Sequence, residues 1–446
     1  MFQRDVFLFF TNLVTGVIIA RMMGPEVLGL WIILQMIPSY AESFGRLKFD
    51  IAAVYFLGKR KYPIGDVVLT LNVLAVLTSS VIIGIFLLKF DWFYRILFGN
   101  SPTDAKLFIY LILLQIPIQF LYLNYSYLLI YREDVKNYNR MVVIKALFAS
   151  VASIVLLVCF RWGLLAVIIP SVLSIFLGLL YGVVKFGPVE RKGPLFNLPL
   201  IKDLSSYGSN IYAATLISSL NSYITNLIVV FYLLPAKVAF FNMAQNKGIL
   251  MNKIPDAMST ILFPRVSKTD NNAVSAILIA RAFRVALLIL LLIGMLAFTS
   301  IKPLVYILYG PDYLPMVIPF CILLPGLIIS SAAGVLNQYF AGVGRVDLAV
   351  KIPIVPFLVQ VVVAILMIPP FGIAGAAISF LIALFCLSAI QIAVFLKITD
   401  CTLKGDLIIQ KEDVLTVKAF ISNQFYRFKK DVLRNLVTLK GKVFGF

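Results

Sequence analysis

The segment from residue 28 to residue 57 is apolar and long enough to cross a bilayer, yet it carries four charges, on Glu42, Arg46, Lys48 and Asp50. As one helix of 30 residues it would be about 45 Å long. Each charge costs about 3 kcal/mol at the membrane centre, whereas each Leu, Ile, Phe or Val returns only about 0.3 to 0.6 kcal/mol. The 13 such residues of the segment therefore recover roughly 4 to 8 kcal/mol against a cost of roughly 10 kcal/mol or more. These side chains are thus predicted to face a wet cavity or one another, as on a transport pathway; the alternative is pairing inside a bundle without any function.

The composition of the whole chain predicts a membrane fold. Of the 446 residues, 61% are hydrophobic and 13% are charged, and the mean hydropathy is +0.99. A chain this apolar has no plausible water-soluble fold and is predicted to be an all-α polytopic membrane protein. It has no histidine, and its four cysteines are scattered without the spacing of metal ligands. We therefore expect no metal site and no cofactor.

Apolar runs separated by polar breaks predict twelve transmembrane helices. They lie near residues 5–23, 28–57, 65–88, 105–131, 141–159, 164–185, 207–230, 237–262, 279–301, 315–340, 349–368 and 373–396. Under this topology 28 of the 39 Lys and Arg residues fall on the side of the N-terminus and 7 on the other side, and the basic side of a membrane protein is normally cytoplasmic. Both termini are therefore predicted to be cytoplasmic, in a cell inner (plasma) membrane. Topology explains the net charge of +19, so nucleic acid is not expected as a partner.

Three pairs of motifs recur at nearly constant spacing and indicate that the chain is doubled. They are Phe98-Gly99 and Tyr309-Gly310, Arg132 with Asp134 and Arg345 with Asp347, and Gly163 and Gly372, at offsets of 211, 213 and 209 residues. We therefore predict two six-helix bundles, at 1–196 and 197–396, related by a pseudo-two-fold axis along the membrane normal. In residues 397–446, apolar side chains recur at helical spacing among Lys and Arg. We expect a basic amphipathic cytoplasmic tail there, which either lies on the anionic inner leaflet or is solvated.

Substrate sites of doubled transporters lie at the interface of the repeats, so the charged second span should have a counterpart in the eighth. In ideal helices, one face of the second span carries Gln35, Glu42, Arg46 and Asp50, and one face of the eighth carries Gln245, Asn252 and Asp256 with Lys253 beside them. Lys48 and Lys247 fall on the opposite faces. Two amides in the first and seventh spans, Asn12 and Asn221, suit a sugar-bearing ligand, although hydrogen bonding between helices is the more common use of such residues.

The chain resembles the Wzx-type oligosaccharide (polysaccharide biosynthesis) flippases of the MATE-like exporter superfamily in three stretches. They are GVIIARMMGPEVLGLW at 16–31, LNQYFAGVGR at 336–345 and IPPFGIAGAA at 368–377. The resemblance runs over most of residues 5–396 and includes the twelve spans and the two-half design. It implies that a polyprenyl-pyrophosphate-linked oligosaccharide moves from the inner to the outer leaflet of the membrane. Alternating access through a central cationic cavity, commonly coupled to an ion gradient, is the implied mechanism.

The resemblance also suggests roles for the polar residues of the spans. A pyrophosphate needs cations in a poorly hydrated place, and Arg46 and Lys253 are the best candidates, with Lys48 and Lys247 as second choices. The amides expected to bind the sugar are Asn12, Gln35, Asn221, Gln245 and Asn252. The acids Glu42, Asp50 and Asp256 are expected to balance the cations or to bind a coupling proton or sodium ion. Membrane lipids and a polysaccharide polymerase are the other expected partners.

Other functions remain as alternatives. A MATE-type exporter of small amphipathic compounds would favour an acidic cavity, whereas the four bases and three acids of the two charged spans here sum to +1. A lipid II-type flippase usually has two further spans, and the tail after residue 396 has no apolar run of about 20 residues to supply them. An enzyme such as a membrane glycosyltransferase is disfavoured, because the longest predicted outer loops, at 89–104 and 302–314, carry only three carboxylates.

Overall fold

The protein is described by a computed structural model over residues 2–99, 105–190, 197–269, 271–345, 347–399, 401–415 and 417–419. Within these ranges the chain forms helices and no strand, which confirms the all-α prediction. The helices of the first part of the chain are α1 (Phe2–Gly45), α2 (Phe49–Gly58), α3 (Ile64–Leu88), α4 (Phe90–Phe98), α5 (Lys106–Leu113), α6 (Gln115–Tyr131), α7 (Val135–Val158) and α8 (Leu165–Phe186). Those of the second part are α9 (Leu198–Tyr232), α10 (Pro235–Ile249), α11 (Lys253–Lys268), α12 (Asn272–Tyr309), α13 (Val317–Ala333), α14 (Asn337–Gly342), α15 (Leu348–Lys351) and α16 (Ile354–Ile398).

Eight segments of the described chain are long and apolar enough to cross a membrane. Large apolar side chains are exposed along them, for example Val81 at 60% and Leu88 at 84%, as expected where side chains face lipid rather than water. The first segment, Arg4–Gly45, and the last, Leu348–Ile398, each contain a sharp turn. The chain is therefore a multi-pass membrane protein, while the count of twelve spans and the two-fold relation of the bundles stay predictions.

Glycines make the turns inside these two long segments. Gly24 has φ 72° and ψ 168°, and Gly372 has φ 57° and ψ −129°, conformations that residues with a Cβ rarely adopt. The turn at Gly24 falls in the gap between the predicted spans at 5–23 and 28–57. The turn at Gly372 falls in the gap between the predicted spans at 349–368 and 373–396, and Pro369 and Pro370 in the same gap lie within the helix before it. Proline holds φ in the range of a helix and cannot supply the positive φ that this turn requires.

The prediction of one continuous helix over residues 28–57 is wrong. Helix α1 ends at Gly45 and α2 begins at Phe49, because Leu47 and Lys48 adopt left-handed φ values of 48° and 54°. Such a conformation costs roughly 1–2 kcal/mol for each residue with a Cβ, so packing has to hold it. The backbone of α9 supplies that packing, since a Cβ on Gly208 would overlap the carbonyl oxygen of Leu47. The prediction that Lys48 lies on the face opposite Glu42, Arg46 and Asp50 assumed one continuous helix and therefore does not hold.

The second charged span is interrupted as well. Helix α10 ends at Ile249, one 3₁₀ turn covers Leu250–Asn252, and α11 begins at Lys253. The end of α10 is again closely packed next to the interruption. Gly248 lies so near the side chain of Leu327 on α13 that a Cβ on Gly248 would overlap it. Both charged segments are thus broken next to their polar residues, as are the discontinuous helices that hold ions and anions in transporters.

The chain divides into two compact units. The first comprises Met1–Asn246, Ile301–Ile322 and Phe357–Phe380, and the second comprises Lys247–Ser300, Leu323–Pro356 and the chain from Leu381 onward. In the first unit α2 is central, because its residues Phe49, Ala53 and Leu57 are buried in one apolar cluster with residues of α3 and α6. The interruption of the helix at residues 46–48 is therefore followed directly by a buried helix. The domain limits predicted at residues 196 and 396 stay predictions.

In the second unit, the start of the predicted tail is docked on α12. The guanidinium of Arg284 bonds Asp413 at 2.6 Å between Nε and Oδ2, and Asp413 is fully buried. Burial alone would raise the pKa of Asp413, but hydrogen bonds from Arg284 and from the backbone N–H of Gln410 hold it below its usual value. Residues 420–446, most of the predicted amphipathic tail, lie outside the described residues, so its place on the inner leaflet stays a prediction.

Candidate functional site

Helices α1 and α6 are joined inside the first unit by a polar ladder. Its members are Gln35 and Glu42 on α1, Arg46 directly after the end of α1, and Gln115, Gln119 and Asn124 on α6. Gln35 and Gln115 exchange hydrogen bonds of 3.5 and 3.4 Å between amide nitrogen and amide oxygen. Gln119 Nε2 donates to the Glu42 carboxylate, and Arg46 Nη2 donates to Asn124 Oδ1 at 3.2 Å. Three of the residues predicted to share a face of the second span therefore meet three amides of one neighbouring helix.

Arg46 and Asp50 form a buried ion pair at the break between α1 and α2. Arg46 is 8% exposed and Asp50 is 1% exposed. Their closest atoms, Nη2 and Oδ2, are 3.4 Å apart, and the guanidinium lies 5.8 Å from the centre of the Phe120 ring. Neither carboxylate oxygen of Asp50 accepts a hydrogen bond from the described residues. The two groups are therefore held together by charge and not by a hydrogen bond. Asp50 also lies in the first turn of α2, where the helix dipole favours an anion.

Asn124 is fixed so that its carbonyl oxygen faces Arg46. Its Nδ2 donates to the backbone carbonyl of Leu71 at 3.1 Å, and the residue is 3% exposed. Asn124, Gln115 and Gln119 were not among the residues predicted for the site. The available signal was the presence of three amides inside the apolar run at 105–131, because amides buried in a membrane bundle need partners on a facing helix.

A second polar feature of the first unit is a cavity of 390 Å³ among α1, α6, α7 and α8, which we call the Lys145 cavity. Its polar lining is formed by Asn12, Thr15, Trp31, Tyr122, Lys145, Ser150, Ser153 and Ser171. Lys145 is half-buried, and its Nζ lies 4.8 Å from the centre of the Tyr122 ring. Ser171 connects the cavity to the polar ladder, because its Oγ donates to Gln115 Oε1 at 3.2 Å.

Lys145 was not among the predicted site residues. From sequence it groups with the basic residues of the preceding loop, whereas the structure places it well inside α7. The available signal was its helical face, since Ala149 and Ser153 follow at spacings of four residues and both are small. Small neighbours on a lysine's face leave room for a cavity around its amine.

The opposite face of α1 is apolar. Side chains of Met36, Ile37, Tyr40 and Phe44 line a cavity of 410 Å³ whose other walls come mainly from α3 and α4. At 100° per residue these positions lie about half a turn away from Gln35, Glu42 and Arg46. The second half of α1 therefore separates a polar ladder from an apolar cavity.

The remaining predicted residues have different surroundings. Asn12 lines the Lys145 cavity, Gln245 is buried in α10, and Lys48 is half-buried at the helix break. In the second unit, Asn252, Lys253 and Asp256 are exposed, Lys247 is half-buried, and Asn252 Oδ1 accepts a 2.5 Å hydrogen bond from Ser331. The side chain of Asn221 lies outside the described residues. The substrate-binding and ion-coupling roles of all these residues stay predictions.

Comparison with known sequences gives two matches. A family model described as polysaccharide biosynthesis protein matches residues 18–318. An uncharacterized membrane protein of Methanocaldococcus jannaschii is 25% identical over 236 residues, which cover 50% of this chain and 46% of that protein. The chain thus matches about half the length of this curated relative.

Comparison with solved structures shows the fold. The lipid II flippase MurJ in an inward closed conformation is similar with a TM-score of 0.74 at 13% identity, over 97% of this chain and 98% of that one. An inward-facing multidrug resistance MATE transporter of the MOP superfamily is similar with a TM-score of 0.67 at 18% identity, over 87% and 93% of the two chains. A Vibrio cholerae MATE transporter has a TM-score of 0.55 at 14% identity, over 89% and 94%. The predicted MATE-like architecture is therefore confirmed.

Proposed function

The chain belongs to the polysaccharide biosynthesis protein family, and from that premise we propose that it translocates a polyprenyl-pyrophosphate-linked oligosaccharide from the inner to the outer leaflet of the cell inner membrane. Transport proceeds by alternating access and is coupled to a proton or sodium gradient. Both termini are cytoplasmic, and a polysaccharide polymerase receives the product. The observation that carries the proposal is the buried Arg46–Asp50 pair at the break in a membrane-embedded helix.

Arg46 is suited to bind the pyrophosphate because its present anionic partner is a poor one. A guanidinium and a phosphate form short, bidentate, charge-assisted hydrogen bonds, whereas Arg46 and Asp50 are 3.4 Å apart and share no hydrogen bond. A pyrophosphate that reached Arg46 would therefore displace Asp50 as the counter-ion. Asn124 would keep its bond to Arg46 and hold the guanidinium in place during the exchange.

Asp50 is suited to couple this exchange to an ion. Once the pyrophosphate neutralises Arg46, Asp50 is a buried carboxylate without a hydrogen bond or a counter-ion, which favours uptake of a proton or a sodium ion. Glu42 accepts a hydrogen bond from Gln119, whereas Asp50 accepts none from the described residues, so Asp50 is the first candidate for coupling and Glu42 the second. The left-handed residues Leu47 and Lys48 permit separation of Arg46 and Asp50, since they lie between Arg46, directly after α1, and Asp50, in the first turn of α2.

The two faces of α1 fit a substrate with two chemically different ends. The polar ladder offers amides and a cation to the sugar-pyrophosphate end, and the 410 Å³ apolar cavity offers Tyr40, Phe44 and neighbouring side chains to the first isoprene units. A single helix can thus contact both ends of the lipid-linked molecule near the point where they join.

A flipping assay tests the proposal. Full-length protein is reconstituted in liposomes with a fluorescent polyprenyl-pyrophosphate oligosaccharide, and an impermeant quencher reports which leaflet holds the label. Arg46→Ala should slow translocation at least tenfold, whereas Arg140→Ala, which removes an exposed arginine of α7, should match the wild type. Wild-type rates for Arg46→Ala would refute the pyrophosphate assignment. Asp50→Asn should transport without responding to an imposed proton or sodium gradient, and an unchanged response would refute its coupling role.

The apolar cavity also favours a second candidate, a MATE-type exporter of small amphipathic compounds. Its volume of 410 Å³ lies in the range of sites for small organic ligands. The same liposomes decide between the candidates when they are loaded with a small amphipathic dye or with lipid II. Transport of the dye alone would support the exporter, and preference for lipid II over the oligosaccharide lipid would support the lipid II-type flippase.

A further inference from the structure

The Lys145 cavity contains a cation without a direct ion pair. Lys145 forms no salt bridge with a described Asp or Glu, the Glu42 carboxylate acts on it only at longer range, and its Nζ lies over the face of the Tyr122 ring. An ammonium over an aromatic ring keeps its charge only partly compensated, and a half-buried amine is desolvated in part as well. The cavity therefore offers a favourable place for an anionic group of a ligand.

The other polar side chains of the cavity are available for hydrogen bonds. Among the described residues, none is recorded as a hydrogen-bond partner of the side chains of Asn12, Thr15, Ser150 or Ser153. Hydroxyl and amide groups both donate and accept, which matches the hydroxyl groups of a sugar. A lipid chain would leave all of these groups unsatisfied, at a cost for each one.

The size and one wall of the cavity indicate a single ring. A volume of 390 Å³ lies near the lower end of the range for small-molecule sites, so the cavity suits a monosaccharide unit rather than a complete oligosaccharide. The Trp31 side chain forms part of the wall and supplies a flat apolar surface next to the polar groups. Such a combination of an aromatic face and a few convergent polar groups orients a ring that has one apolar side.

We infer that the Lys145 cavity binds one acidic sugar residue, with the sugar carboxylate on Lys145 and the ring hydroxyls on α1 and α7. The inference rests on the proposed function only for the source of that sugar, which would be the glycan of the transported lipid. The Arg46–Asp50 pair and the Lys145 cavity then bind different parts of the substrate, the pyrophosphate and one glycosyl unit. Ser171, which lines the cavity, bonds Gln115, and Gln115 bonds Gln35, so the cavity adjoins the polar ladder to which Arg46 belongs.

Fluorescence of Trp31 in the purified full chain tests this binding without any transport step. The chain has three tryptophans, and the other two, Trp92 and Trp162, are exposed. In a Trp92→Phe/Trp162→Phe background the emission reports the cavity alone. The probes are glucuronate, glucose and inorganic phosphate. Glucuronate should change the emission saturably, at a concentration at least tenfold lower than glucose or phosphate, because only glucuronate offers both a carboxylate and ring hydroxyls.

Substitutions on α7 supply the matched comparison. Lys145→Met should remove the preference for glucuronate over glucose, whereas Lys136→Met, at an exposed position of the same helix, should preserve it. Lys145→Gln serves as the second variant if Lys145→Met does not fold. An equal response to glucose and glucuronate, or an unchanged preference in the folded Lys145 variant, would overturn the inference. A response to phosphate as strong as that to glucuronate would also overturn it, by revealing a site for simple anions.

The outcome is distinguishable from a failure of the proposed function. Arg46→Ala should slow translocation at least tenfold and still bind glucuronate, since Arg46 does not line the Lys145 cavity. Loss of the sugar preference together with intact flipping would refute the inference alone. Preserved glucuronate binding in a protein that flips no lipid-linked oligosaccharide would refute the proposed function alone.

Discussion

The Arg46–Asp50 pair should contribute little to stability as a pair and much when one partner is removed. At 3.4 Å and an effective dielectric constant of about 20, the attraction between two unit charges is about 5 kcal/mol. Burial of each ion costs several kcal/mol in return, so the net contribution of the pair is close to zero. With one partner gone, the other charge stays buried without compensation, at a cost of about 3–5 kcal/mol.

A double-mutant cycle measures this difference. Arg46→Met and Asp50→Leu should each lower the free energy of unfolding by about 3–5 kcal/mol, and the double variant by about 1 kcal/mol or less. The coupling energy would then be at least about 5 kcal/mol, since the sum of the two single effects is about 6–10 kcal/mol. Arg46→Met also removes the 3.2 Å hydrogen bond to Asn124, so its effect should be the larger of the two single effects.

Reversible unfolding of the purified protein in mixed micelles provides the free energies, with Arg140→Met as the exposed control. Because the control changes an arginine of the same unit, it corrects for effects of lost positive charge on the micelle. Additive effects of the two single substitutions would refute the reasoning. Arg46 and Asp50 would then not compensate each other, and displacement of Asp50 by a pyrophosphate would have no energetic basis.

Three further predictions concern the turn at Gly372 and the docked start of the tail. In thermal unfolding, Gly372→Ala should destabilise the protein by about 1–3 kcal/mol. The cause is backbone strain alone, because no atom lies where the Cβ would be placed. Gly334→Ala, in equally open space but without a positive φ, should have a smaller effect in the same assay. Asp413→Asn should leave Arg284 buried without its counter-ion, so limited proteolysis should cut the chain after residue 400 faster than in the wild type. The pKa of Asp413 is lowered in the folded protein. Its stabilising effect is therefore complete above the usual carboxylate pKa and is lost as the pH falls through the lower value of the folded state. Protection from protease should accordingly persist from pH 7 to about 4 and decline below that.

The sequence was sufficient to predict those helices whose boundaries follow from apolar runs and from glycine. The predicted third span at 65–88 is Ile64–Leu88 in the structure, and the sixth at 164–185 is Leu165–Phe186. The break at Leu47 and Lys48 could not be predicted. Neither residue favours a left-handed conformation, and the contact that accommodates it comes from Gly208, far away in sequence. Periodicity describes one helix at a time, whereas this feature depends on a second helix.

The candidate site was predicted in part for the same reason. The energetic cost of charge in lipid identified Arg46 and Asp50, and the structure places them against each other. Their partners on α6 and the Lys145 cavity depend on which helices are neighbours, which the sequence of a single chain does not specify. Lys145 was the hardest to recognise, because a lysine near a helix start is usually a solvated topology signal, and its cavity becomes apparent only where α1, α6 and α8 converge.

The weak geometry of the Arg46–Asp50 pair links stability to transport. A pair selected for stability would have hydrogen bonds between its two groups, yet Asp50 accepts none from the described residues and apolar residues could replace both charges at little cost. A pair that must separate in every transport cycle needs the opposite property, a counter-ion strong enough to permit folding and weak enough to be displaced. The Arg46→Met/Asp50→Leu variant should accordingly be folded and inactive in the flipping assay, because it keeps the packing and removes the exchangeable charge.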